Sequence, residues 1–339
     1  MDQSTFLLKS LEEMPQAWRG AVVAIGNFDG MHEGHQAVLA AAEAEAQHLS
    51  VPTIILTFEP HPRSFFAPQT PLFRLTPAVL KASVAAAHGI SGMLVARFDA
   101  AFAETEAEDF VRSVLVERLA ARHVVTGYDF HFGHRRKGTP EFLKRQGVLN
   151  SFGVTVVEKH GDEAGAISSS RIREALGEGR VEEARELLGW DWSLVGRVVE
   201  GDRRGRDLGF PTANMVLDPA CALAHGIYAV RYTRPDGSVH DGVASFGRRP
   251  TFDDGAPRLE TFIFDFDGDL YGEMGLVSLI GWIRGEEKFG SVDALVERMN
   301  VDAEEARKIL AARPLHDLDR KIAAAWPEAE RQAEEAGLA

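Results

Sequence analysis

Two histidines stand where an apolar strand is expected to give way to a helix. The motif "GNFDGMHEGH", residues 26–35, follows the apolar run 21–25 and precedes an alanine-rich segment that continues to residue 49. Glycines let the backbone turn tightly, and a helix start offers unpaired N–H groups and a positive dipole end. His32 and His35 are about one helical turn apart, so both rings face the same way. The motif therefore suits a triphosphate: the imidazoles would donate hydrogen bonds and neutralise charge that develops on leaving pyrophosphate.

The same motif permits two other interpretations. It could be a tight strand-to-helix turn whose histidines only cap the helix. It could also bind zinc, but helical zinc pairs usually have the spacing His-Glu-x-x-His, which differs from "HEGH". The setting between a strand and a helix favours phosphate binding over both.

A second helix start carries three serines ahead of two arginines. It lies in "AISSSRIREAL", residues 166–176, with Arg171 and Arg173 in its first turns. Serine hydroxyls, free N–H groups and guanidinium groups together make a phosphate site. A serine-capped helix with exposed arginines is the alternative. We favour the phosphate site because the first half of the chain already carries one phosphate-binding turn.

Two loops offer the flat apolar surface that an aromatic ligand would need. "FEPHPRSFF" (58–66) and "TGYDFHFGHRRKGT" (126–139) combine rigid prolines or aromatic rings with polar groups. The candidates for lining a ring-binding pocket are Pro60, Pro62, Phe66, Asp129 and Phe132. A proline-stiffened strand end and a solvated loop are the respective alternatives.

In the second half, "GDRRGRDLGFPTANM" (201–215) is the densest cluster of glycine, basic and polar residues. We expect a flexible basic loop followed by Thr212 and Asn214. A threonine hydroxyl and an asparagine carbonyl are hard oxygen ligands, suited to Mg²⁺ that bridges nucleotide phosphates. A capped turn between two strands is the alternative interpretation.

A glutamate follows in "LETFIFDFDGDLYGE". Strand alternation places Glu260 on the same face as Phe262 and Phe264. A carboxylate on such a face is either a paired structural acid or a general base. The aspartates within 265–269 are expected to belong to a turn.

Strands and helices must position these residues, and in the first half of the chain the two alternate. Strands are expected at 21–28, 53–60, 92–99, 123–130 and 153–159, and helices at 35–49, 76–88, 106–121 and 140–146. This alternation predicts a parallel sheet with helices on both faces. Ligands bind such sheets at the carboxyl ends of the strands. The loops rich in glycine, histidine and proline lie at those ends.

Near residue 190 the pattern changes to strand, turn, strand. Strands are expected at 194–201, 226–233, 239–247, 259–266 and 275–283, and helices return at about 291–312 and 315–335. The segment 235–237, Pro-Asp-Gly, is a hairpin signal. We therefore predict an antiparallel β-barrel with terminal helices, and a domain boundary close to residues 188–194.

Composition restricts the class of protein. The 339 residues carry a net charge of −14, which argues against a broad nucleic-acid or anionic-membrane surface. A lone cysteine, Cys221, permits no intrachain disulfide, and the first residues do not read as a signal peptide. No apolar run approaches the ~20 residues of a membrane helix. We expect a cytoplasmic protein.

Four motifs, taken in their order along the chain, resemble those of one family. "GNFDGMHEGH", "ISSSRIR", "GFPTAN" and "LETFIFDFDGDLYG" are similar, in this order, to motifs of the bacterial bifunctional riboflavin kinase/FMN adenylyltransferases, also called FAD synthetases. The resemblance implies an α/β fold with two domains. Residues 1–188 would form a Rossmann-like nucleotidyltransferase sheet that adenylates FMN to FAD and releases pyrophosphate. Residues 189–339 would form a six-stranded riboflavin kinase barrel with terminal helices.

The resemblance also implies ligands, partners and residue roles. The ligands would be ATP, riboflavin, FMN, FAD and Mg²⁺, with no nucleic-acid or membrane partner, in a monomer or weak homo-oligomer. His32 and His35 would stabilise the transition state of adenylyl transfer, and Glu260 would be the catalytic base of the kinase. The other assignments are an adenylyltransferase ATP site (Gly26, Asn27, Phe28, Asp29, Gly34, Ser169, Ser170, Arg171), an FMN pocket (Pro60, Pro62, Phe66, Asp129, Phe132) and a kinase Mg·ATP site (Gly209, Thr212, Asn214), in which Thr212 and Asn214 would hold the metal.

Two other functions fit part of the sequence. Adenylyl- or cytidylyltransferases of other metabolites also use His-x-Gly-His, but they have no need of "GFPTAN" with a downstream glutamate. A flavin-binding regulator with an inactive kinase fold would be expected to lack Asn214 or Glu260. Both residues are present.

Overall fold

The computed structural model describes residues 6–162, 165–201, 205, 208–248 and 256–338. The chain divides into two compact units. The first comprises residues 1–72, 78–167 and 331–339, and the second comprises residues 73–77 and 168–330. Among the described residues, no helix is both long enough and apolar enough to cross a membrane.

A six-stranded parallel sheet forms the centre of the first unit. Its strands are β1 (Leu7–Ser10), β2 (Val22–Ile25), β3 (Thr53–Glu59), β4 (Gly92–Arg97), β5 (His123–Gly127) and β6 (Gly153–Val157). They lie in the order β1-β4-β3-β2-β5-β6. The chain therefore proceeds from β2 to one side of the sheet through β3 and β4, and returns to the other side for β5. The predicted parallel sheet is confirmed, whereas the short edge strand β1 was not predicted.

Helices cover this sheet. They are α1 (Glu33–Leu49), α2 (Pro62–Phe66), α3 (Ala78–Ala87), α4 (Ala100–Ala103), α5 (Ala107–Phe110) and α6 (Pro140–Asn150), and a hairpin of β7 (Gly161–Asp162) and β8 (Gly165–Ala166) follows β6. The helix predicted for 106–121 begins at Ala107 and continues from Val111 to Arg118 with wider, π-helical turns. The strands β2 and β3 are buried runs, as expected for parallel strands that are covered on both faces.

A side chain from the end of the sequence closes the edge of the sheet at β1. The Leu8 N–H donates to Gln332 Oε1 at 2.5 Å, and Gln332 Nε2 donates to the Phe6 carbonyl at 2.9 Å. The primary amide thus replaces one residue of a neighbouring strand. It satisfies backbone groups that an edge strand would otherwise leave unpaired.

A closed barrel of six antiparallel strands forms the centre of the second unit. Its strands are β9 (Ser193–Val199), β10 (Thr212–Val216), β11 (Gly226–Thr233), β12 (Val239–Arg248), β13 (Pro257–Ile263) and β14 (Met274–Gly285), in the order β10-β13-β12-β11-β14-β9. The unit's helices are α7 (Ser169–Gly177), α8 (Val181–Leu188), α9 (Val292–Ala312) and α10 (Asp317–Glu335), whose last residues belong to the first unit. The predicted barrel and terminal helices are confirmed, and 235–237 forms the expected hairpin turn.

Two buried carboxyl groups meet where the barrel begins. The backbone N–H of Asp191 donates to Asp319 Oδ1 at 2.8 Å, and the two residues are 4% and 7% exposed. Burial raises the pKa of both, that of Asp191 to about 7, although Arg185 Nε lies 2.9 Å from Asp191 Oδ1. The folded state therefore disfavours the charged form of Asp191.

We expect Asp191→Asn to stabilise the second unit above pH 7. A raised carboxyl pKa costs the native protein stability as pH rises from about 4 to about 7, on the order of 4 kcal/mol for a shift of this size. Asparagine does not ionise, so that loss should disappear. Hydrogen exchange of the β9 amides at pH 5 and pH 8 measures the stability of this unit in wild type and variant. Asp293→Asn, at an exposed aspartate of α9, is the control. Equal pH dependence in wild type and variant would contradict the expectation.

Candidate active sites

The turn between β2 and α1 has an unusual backbone. Phe28 and Met31 are buried and adopt left-handed conformations, with φ of 50° and 46°. Non-glycine residues rarely occupy this region, and such conformations concentrate at functional sites. A Cβ on Gly26 would lie 3.2 Å from the Phe28 ring, a tight contact that glycine avoids. The strand–turn–helix setting predicted for residues 26–35 is present.

The two histidines meet at the start of α1. His32 is the N-cap, and its Nδ1 accepts a hydrogen bond from the His35 N–H at 3.3 Å. The rings stack with centroids 3.7 Å apart and planes inclined by 16°, and the Phe28 ring meets His35 edge-on. A Cβ on Gly34 would lie 3.2 Å from the His32 ring, so glycine leaves room for the stack. The capping geometry considered as an alternative is therefore present, and it leaves the other nitrogen of His32 available.

Both imidazoles are neutral near pH 7. Burial lowers the pKa of His32 to about 4, against the opposing effect of Asp29. Burial, followed by the proximity of His32 and Lys81, also holds the pKa of His35 well below its usual value. Because Nδ1 of His32 is an acceptor, the proton of the neutral ring is on Nε2, which is a donor. Near pH 7 the pair thus offers N–H donors rather than fixed positive charge.

The lowered pKa of His32 makes a prediction about stability. Unfolded histidine binds a proton below its pKa of 6.5, whereas folded His32 does so only near 4, so the stability of the first unit should rise between these pH values. We expect His32→Asn, which keeps a good N-cap, to remove about 3 kcal/mol of this rise. Hydrogen exchange of the β2 amides at pH 4.5 and pH 7 measures it. His48→Asn, at the exposed end of α1, is the control and should leave the rise intact.

A lysine that sequence reasoning missed lies near this pair. Lys81 on α3 is fully buried, and its Nζ donates to Thr57 Oγ1 at 3.1 Å and to Glu59 Oε1 at 3.4 Å. Thr57 Oγ1 in turn donates to the carbonyl of Asn27 at 3.2 Å. The only signal in the sequence is a single cation inside the apolar helix "AVLKASVAAA".

The loops considered for a ring-binding pocket follow β3 and β5, which flank β2 on either side. Pro60 and Pro62 lead into α2, where Phe66 is 67% exposed and contacts Phe98 edge-on. Asp129 is exposed after β5. Because parallel strands end at one edge of the sheet, these loops and the histidine turn share that edge, at the position where the chain direction reverses.

Phe132 differs from the other candidates of that pocket. It is 7% exposed, it stacks on Phe130 with centroids 5.6 Å apart, and it packs against Phe110 in the core. Its contacts are those of a core residue. Phe66, at 67% exposure, is the accessible ring of the two.

The serine–arginine motif starts α7, which belongs to the second unit. Ser168 is the N-cap and accepts a hydrogen bond from the Arg171 N–H at 3.4 Å, so Ser169 and Ser170 lie in the first turn. Arg173 Nε donates to the Phe73 carbonyl at 2.6 Å. The predicted helix start is present, and phosphate binding by residues 169–171 stays a prediction.

In the barrel, the register brings the kinase candidates together. Asn214 on β10 lies directly opposite Glu260 on β13, and Thr212 lies opposite Phe262. Asn214 Nδ2 donates to the Thr212 carbonyl at 3.1 Å and approaches its Oγ1 at 3.3 Å. The threonine and asparagine thus lie on a strand rather than in the turn considered as the alternative. Of the basic loop before them, residues 202–204 and 206–207 lie outside the described residues, while Gly209 is exposed.

Glu260 and Thr212 line one cavity of about 720 Å³. Rings and aliphatic side chains form much of its wall, among them Phe210, Phe262 and Phe289. A neighbouring cavity of about 420 Å³ shares Phe210 and Phe262 and adds Gly209 and the cation Arg307. Besides Glu260, the carboxylates of Glu286, Glu287 and Asp302 line the larger cavity, and Glu304 lines the smaller one.

Comparison with known proteins gives matches along most of the chain. The sequence model of FAD synthetase matches residues 14–171, and that of riboflavin kinase matches residues 188–310. A bifunctional riboflavin kinase/FMN adenylyltransferase of Pseudomonas fluorescens is 38% identical over 90% of this chain and 98% of its own length. The protein of the same name from Escherichia coli K12 is 36% identical over 89% of this chain and 96% of its own length. A solved structure described as a macrolide-efflux protein from Streptococcus pneumoniae is 33% identical, with a TM-score of 0.76 over 89% of this chain and 99% of that one.

Proposed function

Since the chain belongs to the family of bifunctional riboflavin kinase/FMN adenylyltransferases, we propose that it makes FAD in two steps. Riboflavin is phosphorylated to FMN with ATP in the barrel, and FMN is adenylated to FAD with a second ATP at the histidine turn. The proposal assigns adenylyl transfer to residues 1–188 and phosphoryl transfer to residues 189–339. Its support is that the match to riboflavin kinase begins at residue 188, after the match to FAD synthetase has ended at 171.

The observation that carries the adenylyl-transfer assignment is the neutral, stacked pair His32 and His35 at a helix start. The FMN phosphate is itself an anion and attacks the α-phosphorus of ATP without a general base. What the reaction needs is donors toward the charge that collects on pyrophosphate, and N–H groups supply them. The strained turn of Gly26, Asn27, Phe28 and Asp29 shapes the approach of the phosphates.

We propose that the FMN ring binds against the exposed face of Phe66, beside Pro60 and Pro62, with Asp129 at the opposite side. The support is that these groups end strands on both sides of β2. Phe132 would act through packing beneath this pocket rather than by contact with the flavin. Ser169, Ser170 and Arg171 stay assigned to the triphosphate by their motif alone.

The observation that carries the kinase assignment is the pairing of Asn214 with Glu260 across β10 and β13, beside a ring-lined cavity. Glu260 accepts the proton of the ribityl hydroxyl as that oxygen attacks the γ-phosphorus, and ADP leaves. Phe262 and the apolar wall exclude water and hold the flavin.

The donor set on β10 fits Mg²⁺. With Asn214 Nδ2 directed at Thr212, the amide oxygen remains as an acceptor, and the threonine hydroxyl is a second hard oxygen. Thr212 and Asn214 would hold the ion, and Gly209 lies in the segment that leads to them. The metal would supply positive charge to offset the charge of the transferring phosphoryl group.

Chromatography of flavins from two separate reactions tests the whole proposal. Riboflavin with Mg·ATP should give FMN and then FAD, and FMN with Mg·ATP should give FAD and pyrophosphate. Failure of either product in pure protein would refute the corresponding assignment. We further propose a cytoplasmic monomer or weak homo-oligomer without nucleic-acid or membrane partners, supported by the net charge of −14 and the single buried Cys221. Size-exclusion chromatography checks the oligomeric state.

A further inference from the structure

A buried cation of the first unit has no role in the two reactions described above. Lys81 stands in α3 with none of its surface exposed, and residues 78–85 of this helix are all buried. A buried ammonium is costly unless it is paired, and replacing a buried ion pair by apolar side chains is often neutral or stabilising. Packing alone therefore gives no reason for a lysine at this position.

The contacts of Lys81 lead to the histidine turn. An ammonium group can only donate hydrogen bonds, so Thr57 Oγ1, 3.1 Å from Nζ, must be the acceptor. The hydroxyl then has to direct its single proton elsewhere, and the Asn27 carbonyl lies 3.2 Å away. The charge of Lys81 thus fixes the direction of the hydrogen bond that ties β3 to the turn.

That hydrogen bond acts where the turn is strained. The Asn27 carbonyl belongs to the peptide plane that precedes Phe28, whose φ is 50°. A left-handed conformation at a bulky residue persists only where its surroundings hold it. By fixing the orientation of this peptide plane, Thr57 and Lys81 help to hold the conformation of Phe28, and the Phe28 ring in turn contacts His35.

We infer that Lys81 is a positioning residue for adenylyl transfer, which through Thr57 holds the turn at Asn27 and keeps the His35 ring in its working arrangement. The inference rests on the role proposed above for His35. It is supported by the electrostatics, since the charge of Lys81 contributes to the low pKa of His35, after burial and the proximity of His32. The positive charge of Lys81 adds to burial and His32 in keeping that imidazole neutral.

The test uses full-length Lys81→Met, with Lys144→Met, an exposed lysine of α6, as the matched control. We expect Lys81→Met to lower the kcat of FMN adenylylation by ~10–100-fold, as for a small misplacement of a reacting group. Riboflavin phosphorylation by the same sample should be unchanged. The pKa of His35, measured by NMR of its ring, should rise. A role limited to packing would lower the melting temperature without changing that pKa.

Thr57→Val separates the hydrogen bond to the turn from the electrostatic effect of Lys81 on His35. It also decides the question if Lys81→Met fails to fold. It removes the hydroxyl but keeps the shape and the charge of Lys81, so FMN adenylylation should fall while the pKa of His35 stays near that of wild type. Wild-type adenylylation in Thr57→Val, or an unchanged His35 pKa in a folded Lys81→Met, would overturn the inference. Full activity in His35→Ala would instead refute the proposed function, so the two failures are distinguishable.

Discussion

Replacing Glu260 by glutamine is expected to lower riboflavin phosphorylation by ~10²–10⁴-fold, the usual effect of removing a positioned general base. Glutamine keeps the shape of the side chain opposite Asn214 but cannot accept the proton of the attacking hydroxyl. The barrel should stay folded and riboflavin binding should remain measurable. The measurement is the rate of FMN formation at saturating Mg·ATP, separated from FAD by chromatography.

Two controls belong to this experiment. FMN supplied directly to Glu260→Gln should be converted to FAD at the wild-type rate, because the histidine turn is untouched. Glu297→Gln, an exposed glutamate of α9, should leave both activities unchanged. If Glu260→Gln phosphorylates riboflavin normally, Glu260 is not the base, and the aspartates of the turn 265–269 become the candidates. Among these, Asp265 is already paired with Arg307 at 3.0 Å.

His35→Ala is expected to lower FAD formation by at least ~10²-fold, which is typical of losing one donor to a transition state. The physical reason is that the ring is a neutral N–H donor stacked on His32, so alanine removes a hydrogen bond rather than a charge. His35→Gln, which keeps an N–H donor and does not titrate, should retain more activity than His35→Ala. The assay supplies FMN and Mg·ATP and follows both FAD and pyrophosphate.

The outcome is interpretable only if the fold survives. Circular dichroism should match that of wild type, and riboflavin phosphorylation by the same sample should be nearly unchanged. His48→Ala, at the far end of α1, serves as the matched control. Normal FAD synthesis by His35→Ala would leave the histidines only their capping role, since His32 already caps α1 through the His35 N–H.

The sequence predicted the elements of both units because their patterns are local. Alternation of short apolar runs with helical segments gave the parallel sheet, and the strand-rich second half gave the barrel. The candidate residues of the histidine turn follow directly from this, because a loop after a buried parallel strand must lie at the carboxyl edge. For the kinase residues, the pattern placed Glu260 on a strand, but it expected Thr212 and Asn214 after a loop or in a turn and missed the strand β10 that carries them.

What could not be predicted depends on contacts between distant segments. Nothing near Lys81 reveals that its partners are Thr57 and Glu59, since these belong to another element of the sheet. Phe132 reads like an exposed loop aromatic, yet its ring packs against Phe110 and Phe130. The low pKa values of the histidines were also beyond sequence reasoning, because they arise from burial that the motif does not encode.

The amide of Gln332 that closes the β1 edge has a consequence for biosynthesis. Gln332 lies 326 residues after Phe6 and 324 residues after Leu8, and it also follows the whole barrel in the chain. Throughout translation of the barrel, the nascent chain therefore carries a sheet whose outer strand still lacks this partner, a template for pairing with other chains. Messages truncated between the barrel and the codon for Gln332 would yield proteins with that edge permanently open. Such products should aggregate or be degraded even though every residue proposed for both reactions is present.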